Sequence, residues 1–481
     1  MGEMKPLVLD VDGTFLRTDM LYECFWGAMG KHPLATLGVA FRHFNNRAHL
    51  KRRLAELAEL RVDLLPVRDE MKSLVEESQD AGRTVYLASA SDQGIVDDLA
   101  RAHGITTPSL ASNGTVNLKG AAKAEALVAA HGEGGFDYAG NAPVDRAIWE
   151  KAENALVVGR MPRIERALSA AGKSTQSYPG GWNFSDLMKA LRPHQWVKNI
   201  LLLLPMIAAH QFDAPTLLLV VLGMVAFSAA ASSIYIVNDL LDLEADRLHP
   251  TKCKRPFASG TVPIKVGMVS FFLLLAIALG VGAYLGPAFL GVIAIYVVTS
   301  LAYSLKLKRM RWIDIATLAS LYTLRVVAGA AAGMVDVSTF MLVFIFPVFI
   351  ALGCVKRLTE LTLATSDERL PGRGYGRPDR SDLLNVAALG TFGAVLIFFL
   401  YSFSAQALEL YPTQWLIWVA MIPLAIWLIR MVWLGYHGKQ DYDPIVFAMK
   451  DKSGIGILLI TLSLMFYAAG LWQEWFGFLG S

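Results

Sequence analysis

The chain has 481 residues, 54% of them hydrophobic and 18% charged, with a mean hydropathy of +0.43. That length exceeds one ordinary domain, and that hydropathy excludes a purely soluble globular protein. The net charge of +3 says little as a total, and no nucleic-acid partner is expected.

Charge is unevenly spread: residues 1–190 are rich in it and the remainder is not. The N-terminus, "MGEMKPLVLDVDGT", has no signal-peptide architecture. "PLVLDVD" and "TVYLASAS" are short apolar runs ending in polar residues, the pattern of buried parallel strands with loops at their carboxyl ends. Residues 20–80 show helical periodicity and many charges. Residues 1–178 are therefore predicted to form an α/β, Rossmann-like domain. "VLDVDGT" resembles motif I of the haloacid dehalogenase (HAD) superfamily. Its other motifs follow in order: Ser89 after "VYLA", Lys123 in "GAAKAEAL", and "YAGNAPVD" at 138–145. The resemblance implies a phosphatase with Asp10 as nucleophile, Asp12 as acid/base, Lys123 balancing negative charge, and a small helical cap over about 20–80 between the first two motifs. It also implies Mg²⁺ held by Asp10, Asp12, Asn141 and Asp145. The family usually has an acid at the position of Asn141, which ligates through oxygen but adds no charge.

"KSTQSYPGGWNFSD" (173–186) is polar and bears Gly and Pro, so it reads as a linker, with the domain boundary placed at 179–190. Cys24, Cys253 and Cys354 lie far apart, match no metal spacing, and read as small buried hydrophobes in a reducing compartment.

Residues 191–481 form an all-α membrane bundle by length and hydropathy. Nine spans are predicted, at about 195–211, 216–238, 266–285, 288–305, 312–333, 338–355, 383–403, 413–434 and 454–475. Basic residues concentrate after the even-numbered spans: Arg247, Lys252, Lys254, Arg255 and Lys265; Lys306, Lys308, Arg309 and Arg311; Lys356, Arg357, Arg369, Arg373, Arg377 and Arg380; and Lys439, Lys450 and Lys452. The opposite connections lack Lys and Arg. The positive-inside rule then puts the N-domain and even-numbered loops in the cytoplasm of an inner or plasma membrane, and the C-terminus outside.

"VNDLLDLEADR" (237–247) closes the second span with four acids. At 100° per residue, Asp239, Asp242 and Asp246 fall within about 60° of one another, and Glu244 points away. Three carboxylates on one stripe repel unless a cation joins them, and oxygen-only ligands suit Mg²⁺, which completes its shell with substrate phosphates. "NDLLDLEAD" resembles the N-D-x-x-D-x-x-x-D signature of the UbiA superfamily of membrane prenyltransferases, as do nine helices and cytoplasmic active-site loops. Where that family commonly carries a second D-x-x-x-D, this chain has Asp314 but Leu318, with Tyr303, Lys306 and Lys308 nearby.

"LRPHQWVKN" (191–199), "YSLKLK" and "KRLTEL…RGYG" are most similar to one branch, the decaprenyl-phosphate phosphoribosyltransferases. This implies transfer of 5-phosphoribose from 5-phosphoribosyl-1-diphosphate to a polyprenyl phosphate, with diphosphate leaving. Asp239 and Asp242 are then catalytic. Arg192, Lys198, Asn199, Asn238, Lys252, Lys254, Arg255, Tyr303, Lys306, Asp314, Arg325 and Lys356 are the expected substrate contacts. Arg325 lies on the face of Asp314 inside a span, where an Arg faces the bundle or a cavity. Lys356 and Glu360 are i,i+4 neighbours, so a simple pair between them is the alternative to a substrate contact at Lys356. The transferred 5-phosphate is a substrate for the HAD-like domain, so the fusion suggests a second, dephosphorylating step. Two other readings stand beside this one: prenyl transfer from a prenyl diphosphate to an aromatic or other small acceptor, and a transporter with a regulatory HAD domain.

Overall fold

A computed structural model describes residues 4–113, 117–336, 338–364, 369, 374–440 and 443–477; Arg373 lies outside them. The chain divides into two compact units, Met1–Leu191 with Tyr235–Phe271, and Arg192–Ile234 with Phe272–Ser481.

The first unit is built on six parallel strands: β1 (Leu7–Asp10), β2 (Val85–Asp92), β3 (Leu110–Ser112), β4 (Asp137–Gly140), β5 (Asn154–Val158) and β6 (Ser174–Tyr178), in the order β3-β2-β1-β4-β5-β6. β1 is buried along its length. Leu7 and Leu9 enter one core with Val85, Leu87, Met71, Val75, Val96 and Leu99. Val8 enters the other with Ala88, Leu127, Tyr138, Trp149 and Leu168. Alternate residues feeding two cores are the signature of a sheet covered by helices on both faces. β1 lies between β2 and β4, so chain order reverses at its carboxyl end, where open α/β sheets bind ligands. Helices Met20–Lys31, Pro33–Arg42 and Arg47–Ala58 follow β1, with a core of their own around Cys24, Ala28, Leu54 and Ala58. Helix Asp69–Asp80 lies inside the region expected as cap, but its Met71 and Val75 pack in the sheet core. β6 corrects the linker expected from residue 173. It pairs with β5 from Ser174 to Tyr178, and its largely exposed, polar face left no apolar alternation to mark it. Cys24 and Cys354 are buried, Cys253 is partly exposed, and all three are free.

Among the described residues, seven helices are long and apolar enough to cross a membrane: Ala214–Leu241, Ile264–Leu285, Pro287–Leu305, Ile313–Gly333, Thr339–Leu363, Arg377–Tyr401 and Gln414–Tyr436. The ninth expected span is a 17-residue helix, Lys452–Ala468. The first is not one helix: Pro193–Leu203 is 3₁₀-helical and Leu204–Ala208 α-helical. Geometry explains the 3₁₀ run. Trp196 Nε1 donates to Ser232 Oγ at 2.8 Å and Asn199 Nδ2 to Ser228 Oγ at 2.8 Å. Three residues of 3₁₀-helix and four of α-helix both rise roughly 6 Å, so the two pairs stay in step. Gly329 makes room for this segment: a Cβ there would lie 1.9 Å from the Leu202 carbonyl oxygen.

Candidate active sites

Asp10 ends β1, and a tight turn carries Asp12, Gly13 and Thr14 beyond it, with Gly13 at φ +79°. Lys123 Nζ reaches Asp10 Oδ1 at 2.6 Å and also donates to the Ala88 carbonyl at 3.1 Å and Tyr138 Oη at 3.3 Å. Thr14 Oγ1 lies 3.4 Å from Asp10 Oδ2. Asp12 accepts from the backbone N–H of Met20 at 2.8 Å and from the hydroxyls of Ser91 at 2.9 Å and Ser89 at 3.2 Å. Asp145 accepts from the N–H groups of Asn141 and Ala142 at 3.1 and 2.9 Å and from Tyr138 Oη at 3.4 Å. All the residues expected for this centre therefore gather at the switch point. Burial pushes Asp10 up to about 7; Lys123 pulls it down, and the charges of Asp145 and Asp12 push it up again. The charges of Asp145 and Asp12 both bear on Asp10, a repulsion that a cation beside it would relieve, but among the described residues the three do not converge as a metal cage. Ser91 and Tyr138 are additions that the sequence reading missed.

The second acidic centre lies on the segment Tyr235–Phe271 of the same unit. Its helix is not continuous: Ala214–Leu241 ends, Asp242 turns at φ −101°, ψ 15°, and Leu243–Leu248 resumes. Asp239 and Asp246 still point to one place. A single guanidinium nitrogen of Arg255 lies 3.2 Å from Asp239 Oδ1 and 2.6 Å from Asp246 Oδ2. Both carboxylates are buried, and burial pushes Asp246 upward against the pull of Arg255. Beside them, Asn238 Oδ1 is buried with no hydrogen-bond donor. Among the described residues no three His, Cys, Asp or Glu side chains gather as a metal cage. Two converging carboxylates and an orphaned amide oxygen do fit Mg²⁺, which takes one or two protein carboxylates and completes its shell with substrate phosphates. Arg247 anchors the segment, with its guanidinium on Glu23 at 2.6 and 3.1 Å and its Nε on the Ala258 carbonyl at 3.0 Å. Lys252 and Lys254 are exposed on the loop that follows.

Two of the buried polar groups in the second unit are built on ion pairs. In one, Asp314 accepts from Tyr303 Oη at 2.9 Å and from Arg357, whose guanidinium also reaches Glu360. Asp314 and Arg357 are both fully buried. Glu360 thus pairs with Arg357, not with Lys356, because the i,i+3 guanidinium fork already lies along its face. In the other, Lys198 pairs with Asp443, whose second oxygen accepts from the N–H groups of Ile445 and Val446 at 3.2 and 3.3 Å. Burial alone would raise Asp443, but the charges of Lys198 and Lys356 hold it at about 2. Arg325 takes the Asn199 side-chain carbonyl at 3.2 Å, the Leu321 carbonyl at 2.7 Å and Tyr296 Oη at 3.3 Å, and lies over the rings of Phe227, Tyr296 and Tyr322. Arg192 is half-buried with a left-handed backbone, and Lys306 is exposed. Sequence reasoning missed Asp443, which carries no motif of its own; Arg357, part of "KRLTEL", was read only as a basic loop residue and not as the partner of Asp314.

A model of the UbiA prenyltransferase family matches residues 200–450. The chain belongs to the UbiA prenyltransferase family. That match takes in the Asp239–Asp246 segment, Asp314, Arg325, Lys356 and Asp443, in an integral membrane protein. Uncharacterized protein y4nM of Sinorhizobium fredii is 33% identical over 96% of this chain and 90% of its own length. A decaprenyl-phosphate phosphoribosyltransferase of Mycolicibacterium smegmatis is 34% identical over 56% of this chain and 87% of its own. A solved UbiA homolog from Archaeoglobus fulgidus, bound to GPP and Mg²⁺, covers 59% of this chain and 99% of its own at 15% identity and a TM-score of 0.45. UbiA membership makes the chain a membrane transferase of the prenyltransferase type.

Proposed function

We propose that this UbiA protein transfers 5-phosphoribose from 5-phosphoribosyl-1-diphosphate to a polyprenyl phosphate, and that its N-terminal domain, a HAD-type phosphatase, then removes the 5-phosphate. The observation that carries the first step is the convergence of Asp239 and Asp246 on one cation position, in a chain related over 56% of its length to a decaprenyl-phosphate phosphoribosyltransferase. Asp239, Asp246 and Asn238 would hold Mg²⁺, with Asp242 beside them; in the N-domain Asp10, Asp12, Asn141 and Asp145 would do so. When bound, the ion supplies charge neutralisation on the leaving diphosphate and on the transferring phosphoryl group.

In the first step an oxygen of the lipid phosphate forms a bond to C1 of the ribose as the bond from C1 to diphosphate breaks. The acceptor is already anionic, so the chain needs no strong base. Arg255, Lys252 and Lys254 suit the departing diphosphate. Asp314 takes a positioning role, holding Tyr303 directly and, through Arg357, from a second side. In the second step Asp10 attacks phosphorus and the bond to O5 of the ribose breaks, with Asp12 giving its proton to that oxygen. Water then hydrolyses the acyl phosphate with Asp12 as base, releasing phosphate. The N-domain and the basic loops are assigned to the cytoplasm, where soluble phosphoribosyl diphosphate is available. Donor screening on membranes containing the protein tests the reading. Diphosphate release should require phosphoribosyl diphosphate and polyprenyl phosphate together; release from a prenyl diphosphate with an aromatic acceptor would replace it.

A further inference from the structure

A cavity of about 480 Å³ opens over Asp12, Gly13 and Asn141, within the range of small-molecule sites. Four cations line it: Arg17, Arg68, Arg160 and Lys265. Two of them are committed. Arg17 pairs with Asp69 at 2.6 Å, and Arg68 donates to the carbonyls of Gly13 and Thr14 at 3.1 and 3.3 Å. Arg160, just beyond β5, and Lys265 are exposed and make no ion pair or hydrogen bond among the described residues. The acids of the lining do not balance them. Asp186 pairs with Lys189 at 2.8 Å, Asp12 is engaged by two serines, and burial beside Asp12 pushes Asp19 up to about 7.

The origin of Lys265 says where this rim lies. It sits in the first turn of Ile264–Leu285, one of the helices long and apolar enough to cross a membrane. The loop before it also lines the cavity, through Gly260 and Thr261. Gly260, at φ +71°, allows this approach, since a Cβ there would lie 2.6 Å from the Arg17 Cβ. Trp182, 41% exposed, shares the lining, and Trp is favoured at the level of lipid headgroups. A catalytic floor that handles one phosphate therefore has a rim, at the start of a membrane helix, with two cations that a monophosphate does not need.

We propose that Arg160 and Lys265 bind a second anionic group of the phosphatase substrate, the phosphate diester joining sugar to lipid. They thereby select a lipid-linked sugar phosphate over free sugar monophosphates. This rests on the phosphatase reading of the Asp10 centre. The test uses the full-length protein in detergent with Mg²⁺ and three substrates: p-nitrophenyl phosphate, ribose 5-phosphate, and 5-phosphoribosyl polyprenyl phosphate. Wild-type protein should prefer the lipid-linked substrate in kcat/KM. Arg160→Ala and Lys265→Ala should each lower that preference roughly tenfold, the scale of one charge-assisted contact, mainly through KM. Lys265→Arg should restore most of it and Lys265→Glu should lower it further. A preference unchanged in the double variant, with p-nitrophenyl phosphate still turned over, overturns this proposal alone. No turnover of any phosphomonoester by the wild type overturns the phosphatase reading and the proposal with it. If phosphatidylglycerol micelles abolish the preference as strongly as the double variant does, the cations serve bulk headgroups instead, which also overturns it.

Discussion

Asp443 shows how a single side chain shapes the buried chemistry of the second unit. It faces Lys198 and is held at about 2 by Lys198 and Lys356 against the cost of burial. Asp443→Asn leaves buried ammonium charge uncompensated, which typically costs about 3–5 kcal/mol. The expected result is a clear fall in the midpoint of thermal unfolding in detergent, together with loss of transferase turnover. The sign of its pH dependence follows from the depressed value. The carboxylate's contribution is complete above its ordinary 3.8 and is lost as pH falls from there through about 2. The variant should therefore lack that acid-side loss in a pH series of melts. Asp10, Asp12, Lys123, Asp239 and Asp246 were legible because their chemistry comes with fixed spacing. Asp443 was not: it stands alone in a loop, and only folding brings a lysine from another element to it. Lys198 was expected as a phosphate contact, and its pairing with Asp443 was not foreseen.

Elements supply the second level of constraint. The 3₁₀ run Pro193–Leu203 places Lys198 and Asn199, and it lies against Gly329 with no room for a methyl group. Gly329→Ala must push that segment aside. We expect transferase kcat to fall by at least about tenfold while the phosphatase activity proposed for the Asp10 centre is kept, as enzyme assays on the same preparation would show. Pro193, Pro205 and the polar side chains interrupt the apolar run here, so length alone suggested a span where the chain uses a tighter helix. The first helix after β1 offers a parallel case. Glu23 is buried and takes Arg247 in a two-point ion pair, with Thr18 Oγ1 donating at 2.7 Å. Glu23→Gln should lower the unfolding midpoint. A double-mutant cycle with Arg247→Met should show a coupling of about 1–3 kcal/mol, whereas independent effects would mean the pair does not hold the segment. No spacing in the sequence joins residue 23 to residue 247; the link exists only in the fold.

Across the whole molecule, the signature proposed for dephosphorylation, around Asp10, precedes the one proposed for transfer, Asp239–Asp246, so one chain carries both centres in the order opposite to the proposed steps. The Asp239–Asp246 segment belongs to the same compact unit as the Asp10 domain, which no sequence boundary suggested. The likeness to the Sinorhizobium fredii protein spans both parts of the chain. Asp10→Asn should leave diphosphate release intact and cause the lipid product to retain its 5-phosphate, visible as a mass increment of one phosphoryl group. Loss of both activities would mean the two centres are not separable. The sheet, the membrane helices and the acid motif were legible because apolar periodicity and charge spacing are local. The kink at Asp242, the β6 edge strand and the Lys265 rim were not, because each depends on contacts distant in sequence.

The most direct measurement is diphosphate release by purified protein given Mg²⁺, phosphoribosyl diphosphate and polyprenyl phosphate, for the wild type and for Asp239→Asn with Asp246→Asn. Release by the wild type that needs all three components, falling by at least about a thousandfold in the double variant, is the expected result. Undiminished release by the double variant, or release by the wild type only from a prenyl diphosphate, would contradict it.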